Sequence, residues 1–449
     1  MFAVPAYVHT LLAALWDAGF EAYPVGGCVR DSLLGRTPAD WDLCTSARPE
    51  QTERVLSGYR LVETGLKHGT VTVLTAGGPV EVTTFRTDGA HRDHRRPETV
   101  AFVQRLEEDL ARRDFTVNAM ALGPDGAVID PYGGRTDLAG RIIRCVGEPD
   151  MRFGEDALRI LRALRFASRL DFAVDPGTAA SAEKNRALLD DIARERVFAE
   201  LKGILIGPGA GRVLREYGPI LFQVIPELAA QEGFDQKNPH HIHDIWTHTT
   251  MAVDAVDPDP VLRLTMLLHD VGKPACYFTD EAGVGHFYGH GEKGAEMADG
   301  ILQRLRCDHA ARERVRLLIQ NHDIKPPKTP KAMRRLLARL GVDAVRQLML
   351  CWRADSADRA EAVRAQNLAL IDDWEALLAE VLAGPAPCFS VKSLAVNGRD
   401  ILAMGVPEGP AVGQVLGALF DAVTDGTVPN EREALLERAK ELLRQPEQG

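Results

Sequence analysis

The sequence predicts an α+β protein, with a small mixed β-sheet near the N-terminus and an all-helical remainder. In residues 1–140, short β-branched runs alternate with turn residues, and GTVTVLTAGGPVEVTTF (69–85) has the period-two pattern of a hairpin that turns at Gly77-Gly78. After Ile142 this strand pattern nearly disappears. Segments such as EDALRILRALRFASRL (155–170) instead repeat apolar residues every three or four positions, which is typical of amphipathic helices.

The composition is that of a globular protein with several domains. A length of 449 residues corresponds to about three domains. The hydrophobic fraction of 45% and the charged fraction of 26% are ordinary for such proteins. We expect no membrane partner, because no run of about 20 apolar residues occurs. The N-terminus also lacks the basic region of a signal peptide.

The cysteines and the net charge bear on compartment and partners. The seven cysteines are scattered and form no CxxC pair, which argues against a disulfide framework or a zinc ribbon and predicts a cytoplasmic protein. The net charge of −11 argues against indiscriminate nucleic-acid binding. A locally basic groove could still bind RNA, because counterion release depends on the local patch.

The strongest local pattern is VGGCVRDSLLGRTPADWDLCT, residues 25–45. Gly26-Gly27 follow a short strand and precede a helix, which predicts a turn whose backbone N–H groups can approach phosphates. We expect Arg30 to lie in the first turn of that helix, near a triphosphate.

A pair of carboxylates follows this turn. Asp40 and Asp42 are two residues apart on a predicted strand, so period-two alternation places both on one face. Two such carboxylates can hold Mg²⁺ ions for in-line nucleotidyl transfer. Glu81, in the second strand of the predicted hairpin, is the candidate for a third catalytic carboxylate.

Together, GGCVRD (26–31) and DWD (40–42) resemble the active-site signature of the tRNA nucleotidyltransferase and bacterial poly(A) polymerase family. The resemblance implies a polymerase-β-like head and a magnesium-dependent reaction. DLARRDFTVNAMAL (109–122) resembles the second head motif of that family. The resemblance implies that Arg113 contacts the triphosphate and that Asp114 and Asn118 organise the site.

Two further segments resemble motifs of the same family in the same order. EDALRILRALRFA (155–167) resembles the nucleotide-selecting motif, and ERVFAE (195–200) resembles its ERxxxE motif. Asp156 and Arg159 are three apart, so we expect them on one helix face, where a carboxylate and a guanidinium could pair with the edge of cytosine or adenine. Arg162 and Arg165 continue this face toward phosphates. The alternative is a salt-bridged surface helix.

RTDGAHRDHRRPETVAF, residues 86–102, has little periodicity and predicts a mobile loop. In the family, a flexible loop at this place is associated with the switch from C to A addition. The resemblance therefore implies an enzyme that can add A. The alternative is a solvated linker.

Histidines are concentrated in the middle of the chain, with seven of the thirteen in residues 240–290. A His-Asp pair that ends an apolar helix, with single histidines on flanking helices, has the ligand spread of a metal site. The candidate ligands are His248, His269, Asp270, His290, His322 and Asp323.

This stretch resembles the HD superfamily of metal-dependent phosphohydrolases. The resemblance implies that His248, His269 and Asp270, with Asp323 or His322, bind one metal, for which a transition metal is a candidate. His290 and His322 would allow a second. The alternative is a vestigial HD fold that serves as an RNA-binding scaffold.

These patterns predict four domains. They are a nucleotidyltransferase head (1–140), a helical neck that selects nucleotides (141–230), an HD domain (238–330) and a helical tail (331–449) that resembles the tRNA-binding tail of the family.

The predicted function is addition of C, C and A to the tRNA 3′ end from CTP and ATP, with Mg²⁺. The alternatives within the family are an A-adding enzyme and a poly(A) polymerase. From other classes, the alternatives are an HD phosphohydrolase acting on RNA ends or cyclic phosphates, and an inactive RNA-binding scaffold. The sequence leaves the oligomeric state open.

Overall fold

A computed structural model describes residues 4–65, 68–88, 100–237, 242–384 and 388–444. The chain divides into two compact units. The first unit contains Met1–Ala229 with Arg304–Cys307, and the second contains Ala230–Gln303 with Asp308–Gly449. Among the described residues, no helix is both long and apolar enough to cross a membrane.

The first unit contains a five-stranded mixed sheet. Its strands are β1 (Ala22–Pro24), β2 (Trp41–Thr45), β3 (Arg60–Gly65), β4 (Thr70–Thr75) and β5 (Gly78–Thr84). The strand order is β1-β2-β5-β4-β3, and only the central β2–β5 pair is parallel. The sheet therefore places β2 directly beside the second strand of the β4–β5 hairpin.

Alternation of apolar and polar residues explains how this sheet packs. Val71 and Val73 of β4 and Val80 and Val82 of β5 are buried, and the residues between them point the other way. The predicted hairpin is confirmed, but its turn lies one residue earlier than Gly77-Gly78, at Ala76-Gly77, because Thr75 pairs with Gly78 at the start of β5.

Further short strands and eleven helices complete the described part of the first unit. The strands are β6 (Arg86–Asp88), β7 (Val100–Phe102), β8 (Ala121–Leu122), β9 (Val128–Ile129), β10 (Ile142–Ile143) and β11 (Ala173–Val174). The helices are α1 (Ala6–Asp17), α2 (Gly27–Leu33), α3 (Pro49–Val55), α4 (Leu106–Ala111), α5 (Gly134–Gly140), α6 (Pro149–Glu155), α7 (Leu158–Leu170), α8 (Pro176–Lys184), α9 (Arg194–Leu205), α10 (Ala210–Glu216) and α11 (Gly218–Val224).

The segment predicted as a mobile loop is only partly a loop. Its two ends pair as the antiparallel strands β6 and β7, with Arg86 opposite Phe102. The ends are therefore strands, because each finds a partner that lies outside its own local sequence. Residues 89–99 lie outside the described residues.

In its described residues, the second unit is helical apart from one short hairpin, β12 (Phe278–Thr279) with β13 (Gly285–His286). Its helices are α12 (Ile245–Ala255), α13 (Pro260–Leu268), α14 (Lys273–Cys276), α15 (His290–Arg304), α16 (His309–Asn321), α17 (Pro330–Leu340), α18 (Val342–Asp355), α19 (Glu361–Ala383), α20 (Gly398–Leu402), α21 (Pro410–Thr424) and α22 (Arg432–Arg444). The predicted α+β class, with a mixed-sheet head and a helical remainder, is confirmed.

The first turn of α5 supports the backbone that carries Asn118. A Cβ atom on Gly134 would collide with the Thr116 carbonyl oxygen, whereas one on Gly140 would meet only Ile142 Cδ1, at 3.4 Å. We predict that Gly134→Ala lowers the free energy of unfolding by about 2–4 kcal/mol, because backbone has to move. Chemical denaturation followed by circular dichroism measures this, with Gly140→Ala as the matched control. Equal stability of both variants would contradict the packing.

Candidate functional site

The predicted phosphate turn lies between β1 and α2. Gly26 has φ +79°, in the left-handed region that favours glycine. A Cβ atom at this position would lie 3.2 Å from Nη1 of Arg113. Glycine therefore allows the turn to form and also leaves room for the guanidinium that the sequence assigns to the triphosphate.

Two of the three predicted catalytic carboxylates lie on neighbouring strands, whereas Asp40, predicted on the same strand as Asp42, lies outside it. Asp42 in β2 is directly opposite Glu81 in the parallel β2–β5 pair. Asp40 lies one residue before β2, and it is exposed, as is Glu81. Burial raises the pKa of Asp42 to about 6, and the negative charges of Asp40 and Glu81 add to this rise. Such a group of carboxylates favours a bound cation.

The second head motif forms a chain of charged hydrogen bonds to α7. Arg162 Nε donates to Asp114 Oδ2 at 2.9 Å, and Asn118 Nδ2 donates to Asp114 Oδ1 at 3.1 Å. Arg30 Nη1 donates to Asn118 Oδ1 at 2.6 Å. Burial opposes ionisation of Asp114, but Arg162 and Asn118 lower its pKa to about 2. The predicted residues Arg30, Asp114, Asn118 and Arg162 are thus part of one network.

Phe166 was not among the residues predicted for the site. Its ring is buried and lies under three guanidinium groups, at 5.2 Å from that of Arg30, 5.6 Å from Arg162 and 4.6 Å from Arg165. An aromatic face attracts cations, so this ring gathers the arginines on one side of α7. An aromatic residue within an arginine-rich helix face is the signal that could have found it.

Asp109 was also missed, and it fixes Arg113. Its fully buried carboxylate pairs with Arg113 Nη2 at 3.1 Å and with Arg112 Nη2 at 2.7 Å. Burial opposes the ionised form, but Arg113 and Arg112 hold the pKa of Asp109 below its usual range. Asp109 therefore fixes the position of Arg113, whose guanidinium lies beside Gly26.

The predicted common helix face of Asp156 and Arg159 is wrong. Asp156 lies between α6 and α7 with extended backbone, and its Oδ1 accepts from the Leu158 N–H at the start of α7. The N–H groups in the first turn of a helix have no partner within that helix. A carboxylate that accepts from one of them favours the extended backbone of a cap residue, so α6 ends before Asp156. Arg159 lies in α7, where its guanidinium pairs with Glu155 and donates to the Arg112 carbonyl at 3.0 Å.

The ERxxxE segment contacts two residues of the nucleotide-selecting segment, Asp156 and Arg165. Arg196 Nη2 donates to Asp156 Oδ2 at 3.1 Å, and Arg165 Nε donates to Glu200 Oε2 at 2.6 Å. Both contacts join α9 to the nucleotide-selecting segment. Arg165 is therefore held on a carboxylate in this structure.

In the second unit, five of the six predicted metal ligands come together. Ligand atoms of His248, His269 and Asp270 form one group, and those of Asp270, His290 and His322 form another. All five residues are buried. Asp270 belongs to both groups, so it is placed to bridge two cations.

The hydrogen bonds of the rings direct Nε2 of three histidines into the cluster. Nδ1 of His269, His290 and His322 lies 2.8, 2.8 and 2.6 Å from the backbone carbonyls of Met266, Phe287 and Ile319. A carbonyl only accepts, so Nδ1 carries a proton, and in the neutral form of each ring the lone pair lies on Nε2. These outer contacts are those of metal-binding histidines.

The electrostatics of the cluster fit a cation. His290 Nε2 lies 3.1 Å from His322 Nε2, so in the neutral rings two lone pairs would face each other, and a cation between them would relieve their repulsion. Burial disfavours a protonated His269, yet the nearby Asp270 and Asp355 raise its pKa to about 9. The carboxylates thus favour positive charge at this point, which a metal ion would supply.

Two cluster residues were missed because they lie in the predicted tail. Asp355, at the end of α18, has Oδ1 at 3.0 Å from His248 Nε2 and 3.5 Å from His269 Nε2. Asp358 has Oδ2 at 3.5 Å from His248 Nδ1. Asp323 is exposed and belongs to neither ligand group, whereas Asp355 contacts two of the predicted ligands, His248 and His269. An acidic residue at the end of an apolar helix, as at Asp270, is the signal that could have found Asp355.

Comparison with known proteins agrees with this architecture. The family model described as Poly A polymerase head domain matches residues 22–144, and that described as Probable RNA and SrmB- binding site of polymerase A matches 171–232. The HD domain model matches residues 246–376, and tRNA nucleotidyltransferase domain 2 putative matches 339–439.

Relatives and solved structures match nearly the whole chain. The CCA-adding enzyme of Limosilactobacillus fermentum is 36% identical over 97% of this chain and 96% of its own, and that of Geobacillus kaustophilus is 37% identical over 93% and 92%. The crystal structure of the Bacillus stearothermophilus CCA-adding enzyme in complex with CTP has a TM-score of 0.72 at 31% identity, covering 98% of this chain and 97% of that one. The chain therefore belongs to the family of CCA-adding enzymes, which are metal-dependent nucleotidyltransferases.

Proposed function

We propose that this protein adds C, C and A to the 3′ end of tRNA from CTP and ATP, without a nucleic-acid template. The proposal depends on one observation, that Asp42 lies beside Glu81 with Asp40 adjacent. The relatives of this chain are CCA-adding enzymes that match it over nearly their full length. The solved relatives include enzymes in complex with CTP and with ATP.

In the proposed reaction, the tRNA 3′-hydroxyl attacks the α-phosphate of the bound nucleotide and pyrophosphate leaves. Asp40 and Asp42 would hold Mg²⁺, with Glu81 as the third carboxylate. When bound, Mg²⁺ activates the hydroxyl and neutralises charge on the leaving group. Arg113 and Arg30, with the Gly26-Gly27 backbone, bind the triphosphate, so that catalysis rests on positioning and charge stabilisation.

We assign the selection of the incoming nucleotide's base to Asp156 and Arg159. A carboxylate can accept from the exocyclic amine of cytosine or adenine, and a guanidinium can donate to the neighbouring ring acceptor. Guanine and uracil would place a carbonyl against Asp156 and leave buried polar groups unpaired. The contact of Asp156 with Arg196 supports this role, because it orients the carboxylate while other lone pairs stay available.

A second candidate function is metal-dependent phosphohydrolysis of RNA ends or cyclic phosphates at the histidine cluster. The facing Nε2 atoms of His290 and His322 favour it, because a metal ion could bind to both. Asp270, shared by both ligand groups, would bridge two ions. His248, His269 and Asp355 would complete the site around the first ion.

We predict the following extension pattern with a tRNA transcript that lacks its last three nucleotides. With Mg²⁺, CTP and ATP, the protein should add three nucleotides and stop, and it should need both triphosphates. Electrophoresis at single-nucleotide resolution measures the products. Addition of A alone to a CC-ended tRNA would instead identify an A-adding enzyme, and a long A ladder a poly(A) polymerase.

We predict that replacement of both Asp40 and Asp42 by Asn slows extension by about a thousandfold or more, because the magnesium ligands lose their charge. Asp125→Asn, an exposed carboxylate in the same domain, is the matched control and should extend normally. Any phosphatase activity of the histidine cluster should survive the double substitution. Undiminished extension would show that the head assignment is wrong.

We predict that the Mg²⁺ requirement of extension depends on pH. The raised pKa of Asp42, about 6, means that its carboxyl is ionised above this pH and protonated below it. The Mg²⁺ concentration for half-maximal rate should therefore rise about fourfold from pH 7.5 to pH 5.5, as protons compete with the ion. The test varies free Mg²⁺ at a fixed concentration of the magnesium–nucleotide complex. A requirement that does not change with pH would argue against Asp42 as the ligand.

We predict that Asp156→Ala weakens nucleotide selection, because the acceptor for the exocyclic amine is lost. The ratio of kcat/KM for CTP to that for UTP should fall by about tenfold or more. Single-nucleotide incorporation with each triphosphate measures the ratio. Glu183→Gln, an exposed acid of α8, is the control. An unchanged ratio would remove Asp156 from the selecting site.

A further inference from the structure

One aromatic ring in the first unit lies against guanidinium groups from two helices. Phe166 is buried, and the guanidinium groups of Arg165, Arg30 and Arg162 lie over its ring at 4.6, 5.2 and 5.6 Å from the centroid. All three distances are within the range of about 6 Å over which an aromatic face attracts a cation. Arg162 and Arg165 belong to α7 with Phe166, whereas Arg30 belongs to α2. The ring therefore joins the phosphate turn to α7.

The three guanidinium groups share this ring, although each has a separate acceptor. Glu200 Oε2 accepts from Arg165 Nε at 2.6 Å, and Asn118 Oδ1 accepts from Arg30 Nη1 at 2.6 Å. These acceptors come from different elements, so they orient the arginines separately. The negative face of the ring attracts all three cations and offsets part of their mutual repulsion. Phe166 is thus the group that holds them together.

Packing confines both the ring and the arginine nearest to it. The fully buried ring of Phe115 lies 5.7 Å from that of Phe166, centroid to centroid, with an angle of 76° between the ring planes. This edge-to-face contact is a favourable arrangement that fixes the orientation of the Phe166 ring. On α9, a Cβ atom at Gly203 would lie only 2.5 Å from Cδ of Arg165. The glycine therefore leaves the space through which Arg165 passes along the ring.

We propose that Phe166 is a positioning residue for the triphosphate of the incoming nucleotide, because its ring holds Arg30, Arg162 and Arg165 together before the nucleotide binds. The inference rests on the proposed function, in which this group of arginines faces the phosphates. Side chains that are already in place lose less entropy when they bind an anion. A weaker ring face should therefore weaken the binding of CTP and ATP equally, and it should leave the choice of base unchanged.

Ring fluorination of Phe166 in the full chain tests the proposal. Phenylalanine analogues with one, two and three ring fluorines lose negative charge from the ring face in steps, while the shape of the ring changes little. We expect the Kd of CTP, measured by calorimetry with Mg²⁺, to rise with each fluorine and to reach about tenfold with three. The KM values for CTP and ATP should rise in parallel, with kcat and the preference for CTP over UTP unchanged. Inorganic tripolyphosphate, which has no base, should lose affinity by the same factor.

Phe153 provides the matched control for this series. Its side chain is fully buried in α6, and none of the arginines in the described part of the chain lies over its ring. The same analogues at Phe153 should therefore leave the Kd of CTP unchanged. Phe166→Leu keeps an apolar side chain but has no ring face, so it should weaken tripolyphosphate binding at least as much as three fluorines do. Thermal unfolding of each variant shows whether it is folded.

The outcomes separate the role of Phe166 from the proposed function. A Kd that is independent of the number of fluorines, or that rises equally at Phe153, would overturn the positioning role. A lost preference for CTP over UTP with unchanged tripolyphosphate binding would overturn it as well. If the unaltered protein does not extend tRNA but its CTP binding still weakens stepwise with fluorination, the positioning role stands and CCA addition fails. If the unaltered protein binds neither CTP nor tripolyphosphate, both proposals fail.

Discussion

The ionised carboxylate of Asp114 holds the nucleotidyltransferase site together. A buried charge is unfavourable unless it is paired and hydrogen-bonded, and here Arg162 and Asn118 fulfil both conditions. Because Asn118 also accepts from Arg30, the phosphate turn is connected to the helix of the nucleotide-selecting segment. Loss of this carboxylate would remove the partner of Arg162, so the connection between α7 and the proposed phosphate turn depends on one buried group.

The sheet decides the geometry of the catalytic carboxylates. Parallel pairing of β2 and β5 sets Asp42 opposite Glu81, and the repulsion between these acids raises the pKa of Asp42. A protein tolerates such repulsion where a cation relieves it. The histidine cluster follows the same principle with other ligands, because backbone carbonyls fix a proton on Nδ1, and in the neutral rings the Nε2 lone pairs face each other. The two centres thus share a physical signature, an arrangement of ligands that is unfavourable without positive charge.

Several arginines in this protein are oriented by ion pairs with carboxylates. Arg113 is fixed by Asp109, Arg165 by Glu200 and Arg359 is paired with Asp355. A guanidinium offers five donors, so a carboxylate can orient it while other N–H groups serve a ligand. The positions of these side chains are therefore set in advance, which lowers the entropy lost when an anionic ligand binds.

The sequence by itself determined the α+β class, the β4–β5 hairpin, the glycine turn before α2 and the candidate residues of both proposed sites. These features depend on local periodicity, on turn residues and on motifs with short spacing. Only the tertiary structure brought Phe166 under three arginines, Asp109 beside Arg113, and Asp355 into a cluster with histidines about a hundred residues earlier in the chain. It also moved Asp156 out of the helix, because its carboxylate caps α7. Contacts between residues far apart in sequence leave no periodic pattern, so they are decided by packing and by the need to pair buried charges.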